Sequence, residues 1–378
     1  MSATPRRILQ KLQQRKENNS LRTLSQPSEG VDFYANDYLG FSKNEKIYQR
    51  SLDFLEEHQL LQNNSTGSRL ISGNFKIHEA IEAQIAAFHH SENAILFNSG
   101  YDANVGFFSS IPQRGDVVFY DELIHASIRD GLQMGLAKSY KFKHNDLEDL
   151  QAKVEKLTIS GEVYVVTESI FSMDGDYPDL PTLVKFCNEK NIFLVVDEAH
   201  ALGVFGETGE GLLQHLNLHH KVFARIVTFG KGLGAHGAAI LGSETLKEFI
   251  INFTRSFIYT TAIAPHSVAT ISSAYQELVH TSAIKKLQQN ITYFQQQVED
   301  LDLKDAFIAS DSAIQSCIIP GNEQVKAIAE KLQQQHYLVK PILSPTVAKG
   351  EERLRFCLHS YNLKEEIFSV LQCLKREL

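Results

Sequence analysis

Short apolar runs alternate with stretches of helical periodicity through the centre of this chain. The runs at 94–97, 117–120, 163–167, 192–196, 225–229 and 238–241 are nearly continuous rather than alternating. That pattern predicts strands buried on both faces of a mostly parallel sheet. Helical stretches between the runs complete βαβ units, so the expected fold class is α/β. Upstream, Leu9, Leu12, Gln13 and Lys16 read as a first amphipathic helix, 32–40 as an extended segment ending in turn residues, and Ile47, Leu52 and Leu55 as the apolar face of a second helix. The stretch 63–73 is too rich in Gly and Ser for a helix, and an amphipathic helix follows at 78–88. From about residue 284 the pattern changes to a smaller α+β lobe, with Gln-rich helices at 284–301 and 325–336 and short strands at 314–319, 337–340 and 353–358. The expected organisation is an N-terminal helix and extended segment over 1–45, a large α/β domain over 46–283 and a C-terminal α+β domain over 284–378, with no internal repeat.

In a parallel sheet, ligands gather beyond the carboxyl ends of the strands. The sequence puts its polar residues there, at 99–101, 122–125, 168–174, 197–200 and 228–231. Two of these strand ends carry a matched set. Lys231 stands among small residues in Thr228-Phe-Gly-Lys-Gly-Leu-Gly, and Asp197 opens Asp-Glu-Ala-His200. A lysine amine so placed can form a Schiff base, and a strand-end aspartate can hold a protonated pyridine nitrogen, which makes the ring an electron sink. This is the demand of pyridoxal 5'-phosphate chemistry. A rival lies in the same stretch, because Gly232, Gly234 and Gly237 spell the dinucleotide fingerprint. That motif wants an acidic residue about 20 positions on, and 250–262 offers none. Without Asp197 and His200, Lys231 would read as a solvated loop lysine.

Composition narrows the partners. The chain has 378 residues, 43% of them hydrophobic, and a net charge of −8 without charge blocks; no nucleic-acid surface is expected. No apolar stretch approaches the ~20 residues that span a bilayer, so no membrane partner is expected either. The N-terminus carries Arg6, Arg7 and Lys11 but no apolar signal core, so the cytoplasm is expected rather than secretion, with an organellar transit peptide as the alternative. Cys187, Cys317, Cys357 and Cys373 are scattered singly and read as reduced core thiols. His215 and His219 lie four apart as on a helix, with His220 beside them, but no acidic neighbour completes a zinc site. No metal is assigned.

Taken together these residues resemble the α-oxoamine synthases, pyridoxal phosphate enzymes of the fold-type I aminotransferase class. The likeness runs through Asn36-Asp-Tyr-Leu-Gly40, Gly67-Ser-Arg69, Ser99-Gly-Tyr101, His125-Ala-Ser127, Thr167-Glu-Ser-Ile-Phe-Ser-Met-Asp-Gly-Asp176, Asp197-Glu-Ala-His-Ala-Leu-Gly203, Thr228-Phe-Gly-Lys231, Phe257-Ile-Tyr-Thr-Thr261 and Arg353-Leu-Arg355, covering essentially the whole chain. The resemblance implies that Lys231 is the Schiff-base lysine, Asp197 the partner of the pyridine nitrogen, His125 the histidine stacked on the ring and His200 the partner of its phenolic oxygen. Ser172 and Thr228 match cofactor-contacting hydroxyls. Ser99, Gly100 and Tyr101 begin a helix whose free N–H groups suit a phosphate. Thr260 matches a phosphate contact donated by a neighbouring subunit, which implies a homodimer.

The activity so implied is decarboxylative condensation of an amino acid with an acyl thioester carried on coenzyme A or acyl carrier protein. Asn36 belongs with the substrate residues, as do Arg22 and Thr346, which match contacts of the member that joins L-alanine to a pimeloyl group. Arg353 and Arg355 alternate on one strand, and the expectation is that only one of them faces the substrate while the other is a solvated edge charge. Glycine C-acetyltransferase, serine palmitoyltransferase and 5-aminolevulinate synthase share the lysine, aspartate and histidines. A binding subunit of the same fold without catalysis is the different-class alternative, and the presence of Lys231 argues against it.

Overall fold

A computed structural model of the chain describes residues 4–24 and 29–378. It divides into two compact units, one built from 36–172 and 177–285, the other from the described residues of 1–35 with 173–176 and 286–378.

The larger unit is organised by a seven-stranded sheet. In chain order its strands are β1 (Asn93–Phe97), β2 (Val117–Asp121), β3 (Lys138–Phe142), β4 (Val163–Glu168), β5 (Phe193–Asp197), β6 (Ala224–Thr228) and β7 (Ala238–Gly242). In space they run β1-β7-β6-β5-β4-β2-β3. Only β7 runs against the others, pairing antiparallel with both β1 and β6. The remaining six therefore point the same way, and their carboxyl ends share one edge. Six of the strands match the apolar runs to within a residue. The seventh, β3, has the sequence Lys-Ser-Tyr-Lys-Phe and leaves all but Phe142 exposed at the sheet edge. An edge strand needs no continuous apolar run, so periodicity alone passed over it.

A helical layer closes the sheet over a core that includes Phe107, Phe108, Val118, Val166, Val195 and Ile226, all at most 2% exposed. Helices Gly100–Ser110 and Ala126–Met134 lie close together because Gly131 has no side chain; a Cβ there would come within 3.0 Å of the Asn104 carbonyl oxygen and the Phe108 Cβ. The expected pairing of His215 with His219 on one helix does not occur. Helix Leu212–His215 stops, Asn217 takes a left-handed φ of 54°, and His219–Lys221 forms a separate 3-10 turn.

In the smaller unit, β8 (Ile314–Ile318), β9 (Lys340–Ile342) and β10 (Arg353–Cys357) form an antiparallel sheet ordered β9-β10-β8. The strand expected over 337–340 is divided. Tyr337–Leu338 pairs in parallel with Val31–Asp32, while Lys340–Ile342 turns to β10. The N-terminal helix Arg6–Glu17 forms as its periodicity predicts, yet it buries no residue: Ile8, Leu9 and Leu12 are 50%, 54% and 47% exposed. All four cysteines are buried and none forms a disulfide. Among the described residues no helix is long and apolar enough to cross a membrane.

One buried ion pair ties the strands that carry Asp197 and Lys231. Arg225 of β6 donates from Nε to Glu198 Oε2 at 2.7 Å, and its other nitrogens reach the carbonyl oxygens of His89 and Glu210. Glu198, 0% exposed, also accepts the Leu213 N–H. Removing one partner of such a pair strands the other charge away from water. Arg225→Met is therefore expected to destabilise the protein by about 3–5 kcal/mol in urea unfolding; a change below about 1 kcal/mol would show that Glu198 is satisfied without it.

Candidate active site

The shared sheet edge brings the sequence-predicted residues of the larger unit together. β1 leads to Ser99, β2 to His125, β4 to Ser172, β5 ends on Asp197 and leads to His200, and β6 ends on Thr228 and leads to Lys231. Asp197 is 4% exposed. Its Oδ1 accepts the Ala199 N–H at 2.9 Å and its Oδ2 accepts from Asn104 Nδ2 at 2.8 Å.

The loop carrying Lys231 is pressed against its surroundings by glycines. A Cβ on Gly232 would lie 2.3 Å from the Leu202 carbonyl oxygen, and Gly234, at φ 59°, sits equally close to the Ser42 amide. Gly237 leads straight into antiparallel β7. The dinucleotide fingerprint opens a helix at this point, so these glycines serve close packing and a reversal of the chain instead.

On β4, next to Asp197 in the strand register, Glu168 is 3% exposed and accepts the His125 N–H at 2.6 Å. Burial pushes its carboxyl up to about 8, helped by the negative charge of Asp197 and opposed by the positive charge of Lys231. His125 caps the helix Ala126–Met134. The residue as a whole is exposed, but the protein packed around its ring strips solvent and lowers its pKa, opposed by the negative charge of Asp197 and aided by the positive charge of Lys231. His200 Nδ1 hydrogen-bonds the Tyr38 hydroxyl at 2.6 Å, and that hydroxyl lies 3.4 Å from Asn36 Oδ1.

Ser99 caps the helix Gly100–Ser110 by accepting the Asp102 N–H. Helix geometry leaves the Gly100 and Tyr101 N–H groups directed out of that end. Gly100 fits tightly, since a Cβ would come 2.5 Å from Thr228 Oγ1. Thr260 accepts from Asn98 Nδ2 at 3.0 Å, beside the same helix start. One edge thus presents a half-buried amine, a buried carboxylate, two histidines and a helix end suited to an anion.

Within the smaller unit, Arg22 Nη2 donates to Thr346 Oγ1 at 3.1 Å although 324 positions separate them. Both side chains are exposed. The expectation for Arg353 and Arg355 needs correcting. Residues two apart on a strand point to the same face, and both arginines are buried, at 5% and 6% exposure. Arg353 is ion-paired with Asp174, and Arg355 Nη1 approaches Cys357 Sγ at 3.0 Å. Neither is a solvated edge charge.

Tyr38, Asn104, Ser127 and Glu168 received no role from the sequence. Tyr38, Ser127 and Glu168 stand inside motifs quoted for the resemblance, whereas Asn104 had a single available signal, an amide in the middle of an apolar helix.

The chain matches the family model described as aminotransferase class I and II over residues 28–371. It is 40% identical to an 8-amino-7-oxononanoate synthase of Emericella nidulans, over 92% of this chain and 89% of that one. A crystal structure of 8-amino-7-oxononanoate synthase from Francisella tularensis superposes with a TM-score of 0.78 at 28% identity, covering 92% of this chain and 97% of that one. A serine palmitoyltransferase from S. paucimobilis shares the fold at a TM-score of 0.89 and 23% identity, with 98% and 96% of the two chains covered.

The raised pKa of Glu168 carries a pH signature. The folded state favours its protonated form, so its contribution to stability is complete below the ordinary value of 4.5, declines as pH rises from there and is gone above about 8. Wild-type apoprotein is expected to lose up to about 1.4 kcal/mol per pH unit in that window relative to Glu168→Gln, measured by urea unfolding at several pH values. Parallel pH profiles for the two proteins would contradict the assignment.

Proposed function

We propose, from the premise that this chain belongs to the aminotransferase class I and II family and to its α-oxoamine synthase branch, that it joins L-alanine to a pimeloyl thioester to give 8-amino-7-oxononanoate, carbon dioxide and the free thiol. It is a pyridoxal 5'-phosphate enzyme of the acyltransferase type, and relatives named 8-amino-7-oxononanoate synthase support a role in biotin synthesis.

The residues fit that cofactor. Asp197 offers a buried carboxylate for a protonated pyridine nitrogen, Lys231 an amine for the aldehyde carbon, and the helix end at Gly100 and Tyr101 an anion site, with Gly100 packed so closely on Thr228 that a Cβ would strike its hydroxyl. His125 serves the ring face, His200 with Tyr38 the phenolic oxygen, and Ser99, Ser172 and Thr228 supply hydroxyls around it. Thr260 serves the phosphate bound by a second copy of the chain in a homodimer. When bound, the cofactor draws electrons from the amino acid's α-carbon.

What the chain does is move one proton and orient two substrates. Lys231 Nζ takes the proton from the α-carbon of alanine. The electron pair left behind forms a bond to the thioester carbonyl carbon, the C–S bond breaks, and coenzyme A or acyl carrier protein departs as the free thiol. The amino acid's carboxylate then leaves as carbon dioxide, and Lys231 returns a proton to the same carbon. Of the two strand arginines, Arg353 is committed to Asp174. For Arg355 and for Asn36, a role toward the amino acid's carboxylate rests on the resemblance alone.

The observation that carries the choice of acyl group is the Arg22–Thr346 pair, a cation and a hydroxyl brought together on the surface of one unit from opposite ends of the chain. A pimeloyl group ends in a carboxylate and needs such a partner; acetyl and palmitoyl groups do not. Arg22→Ala is expected to lower kcat/KM for the pimeloyl thioester by about 1.5–3 kcal/mol, the worth of a hydrogen bond to a charged group, while an uncharged acyl thioester of equal length and the KM for alanine change little. Equal losses with both thioesters would move Arg22 out of the acyl site.

A further inference from the structure

Asp197 and His125 sit on different strand ends, but buried side chains join them in one hydrogen-bonded line. Asn104 lies within helix Gly100–Ser110 at 3% exposure, and Ser127 in helix Ala126–Met134 at 0%. Asn104 Nδ2 donates to Asp197 Oδ2 at 2.8 Å and to Ser127 Oγ at 3.1 Å. Ser127 Oγ in turn meets His125 Nδ1 at 2.7 Å. The close helix packing at Gly131 brings the two polar side chains within reach.

Counting hydrogens gives the line a direction. A primary amide has two N–H groups, and here one goes to Asp197 and one to Ser127. The reversed amide would set its oxygen against the carboxylate oxygen of Asp197, two acceptors with no proton between them. Since Ser127 Oγ already accepts from Asn104, its own hydrogen is available for His125 Nδ1. The Ser127 backbone N–H points at the same nitrogen from 3.3 Å. A backbone N–H can only donate, so both donors require a lone pair on Nδ1, and the proton of the neutral imidazole belongs on Nε2. Asn104 Oδ1, by contrast, is buried without a hydrogen-bond partner among the described residues. All the hydrogen bonds this amide makes among the described residues therefore run through its two N–H groups.

We propose that Asn104 is a positioning residue for the reaction: its two N–H groups orient the Asp197 carboxylate and, through Ser127, fix His125 as the Nε2–H tautomer, so that the two groups assigned to the cofactor's nitrogen and its face respond as one unit. This rests on the roles given above to Lys231, Asp197 and His125. Neither Asn104 nor Ser127 touches substrate in the scheme. Both act through the residues they hold.

The test uses cofactor-loaded enzyme and reads the visible absorption of the lysine-bound cofactor as a function of pH, alongside kcat and KM. Asn104→Ala is expected to displace the titration midpoint of that absorption and to lower kcat roughly 10- to 100-fold, the range for losing a hydrogen bond to a charged group, with KM for the amino acid changing less. Ser127→Ala, which removes one oxygen, should displace the midpoint by a smaller amount, and Ser127→Thr, which restores a hydroxyl, should return it toward wild type. In the double variant the losses should fall short of additive, because Ser127 works through Asn104. An unchanged midpoint in both single variants, with only cofactor retention or melting temperature reduced, would overturn the proposal, as would strictly additive losses. If the wild-type enzyme carries no such absorption, the assignment of Lys231 fails first and this proposal with it.

Discussion

A carboxylate that is almost wholly withdrawn from water must have its oxygens answered by its neighbours, and the centre of the larger unit is arranged around answering Asp197. One oxygen is met by a backbone N–H two residues on, the other by the amide of Asn104. The next residue, Glu198, is anchored in the opposite direction by Arg225. Asp197 is thereby held at the strand end between fixed partners. An isolated buried charge would instead favour its neutral form or pull water in. A carboxylate supplied with donors of this kind is ready to face a cationic ring nitrogen.

Strand direction does the rest of the assembly. Five of the six strands of one polarity lead to residues 99, 125, 172, 197, 200, 228 and 231 and so put them at one edge, although they span more than a hundred positions of sequence. The single reversed strand, β7, lies between β1 and β6 and lets the chain turn sharply just after Lys231. That turn is where Gly232 and Gly234 are needed, because backbone from two other segments approaches too closely for any side chain.

Much of this was legible in the sequence because it is local. Strands buried on both faces announce themselves as continuous apolar runs, and a strand-end Asp or Lys can be read from the residue that follows such a run. Two kinds of feature were not legible. The exposed edge strand β3 has no apolar run, and its identity depends on β2 lying beside it. The supporting contacts are the other kind: Tyr38 meets His200 from 162 positions away and Asn104 meets Asp197 from 93, pairings that no spacing rule encodes. For the two arginines of β10 the expectation of opposite environments runs against the strand period. Positions two apart share a face, and burial with Asp174 and Cys357 accounts for both.

The account turns on Lys231 as the residue that holds pyridoxal phosphate covalently. The most direct measurement is to load the protein with pyridoxal 5'-phosphate, reduce it with borohydride, digest it and map the modified peptide by mass spectrometry. The account predicts irreversible loss of the visible absorption and a phosphopyridoxyl group on Lys231, at about one per chain. Modification spread over surface lysines, or Lys231 recovered unmodified while the absorption is lost, would contradict it.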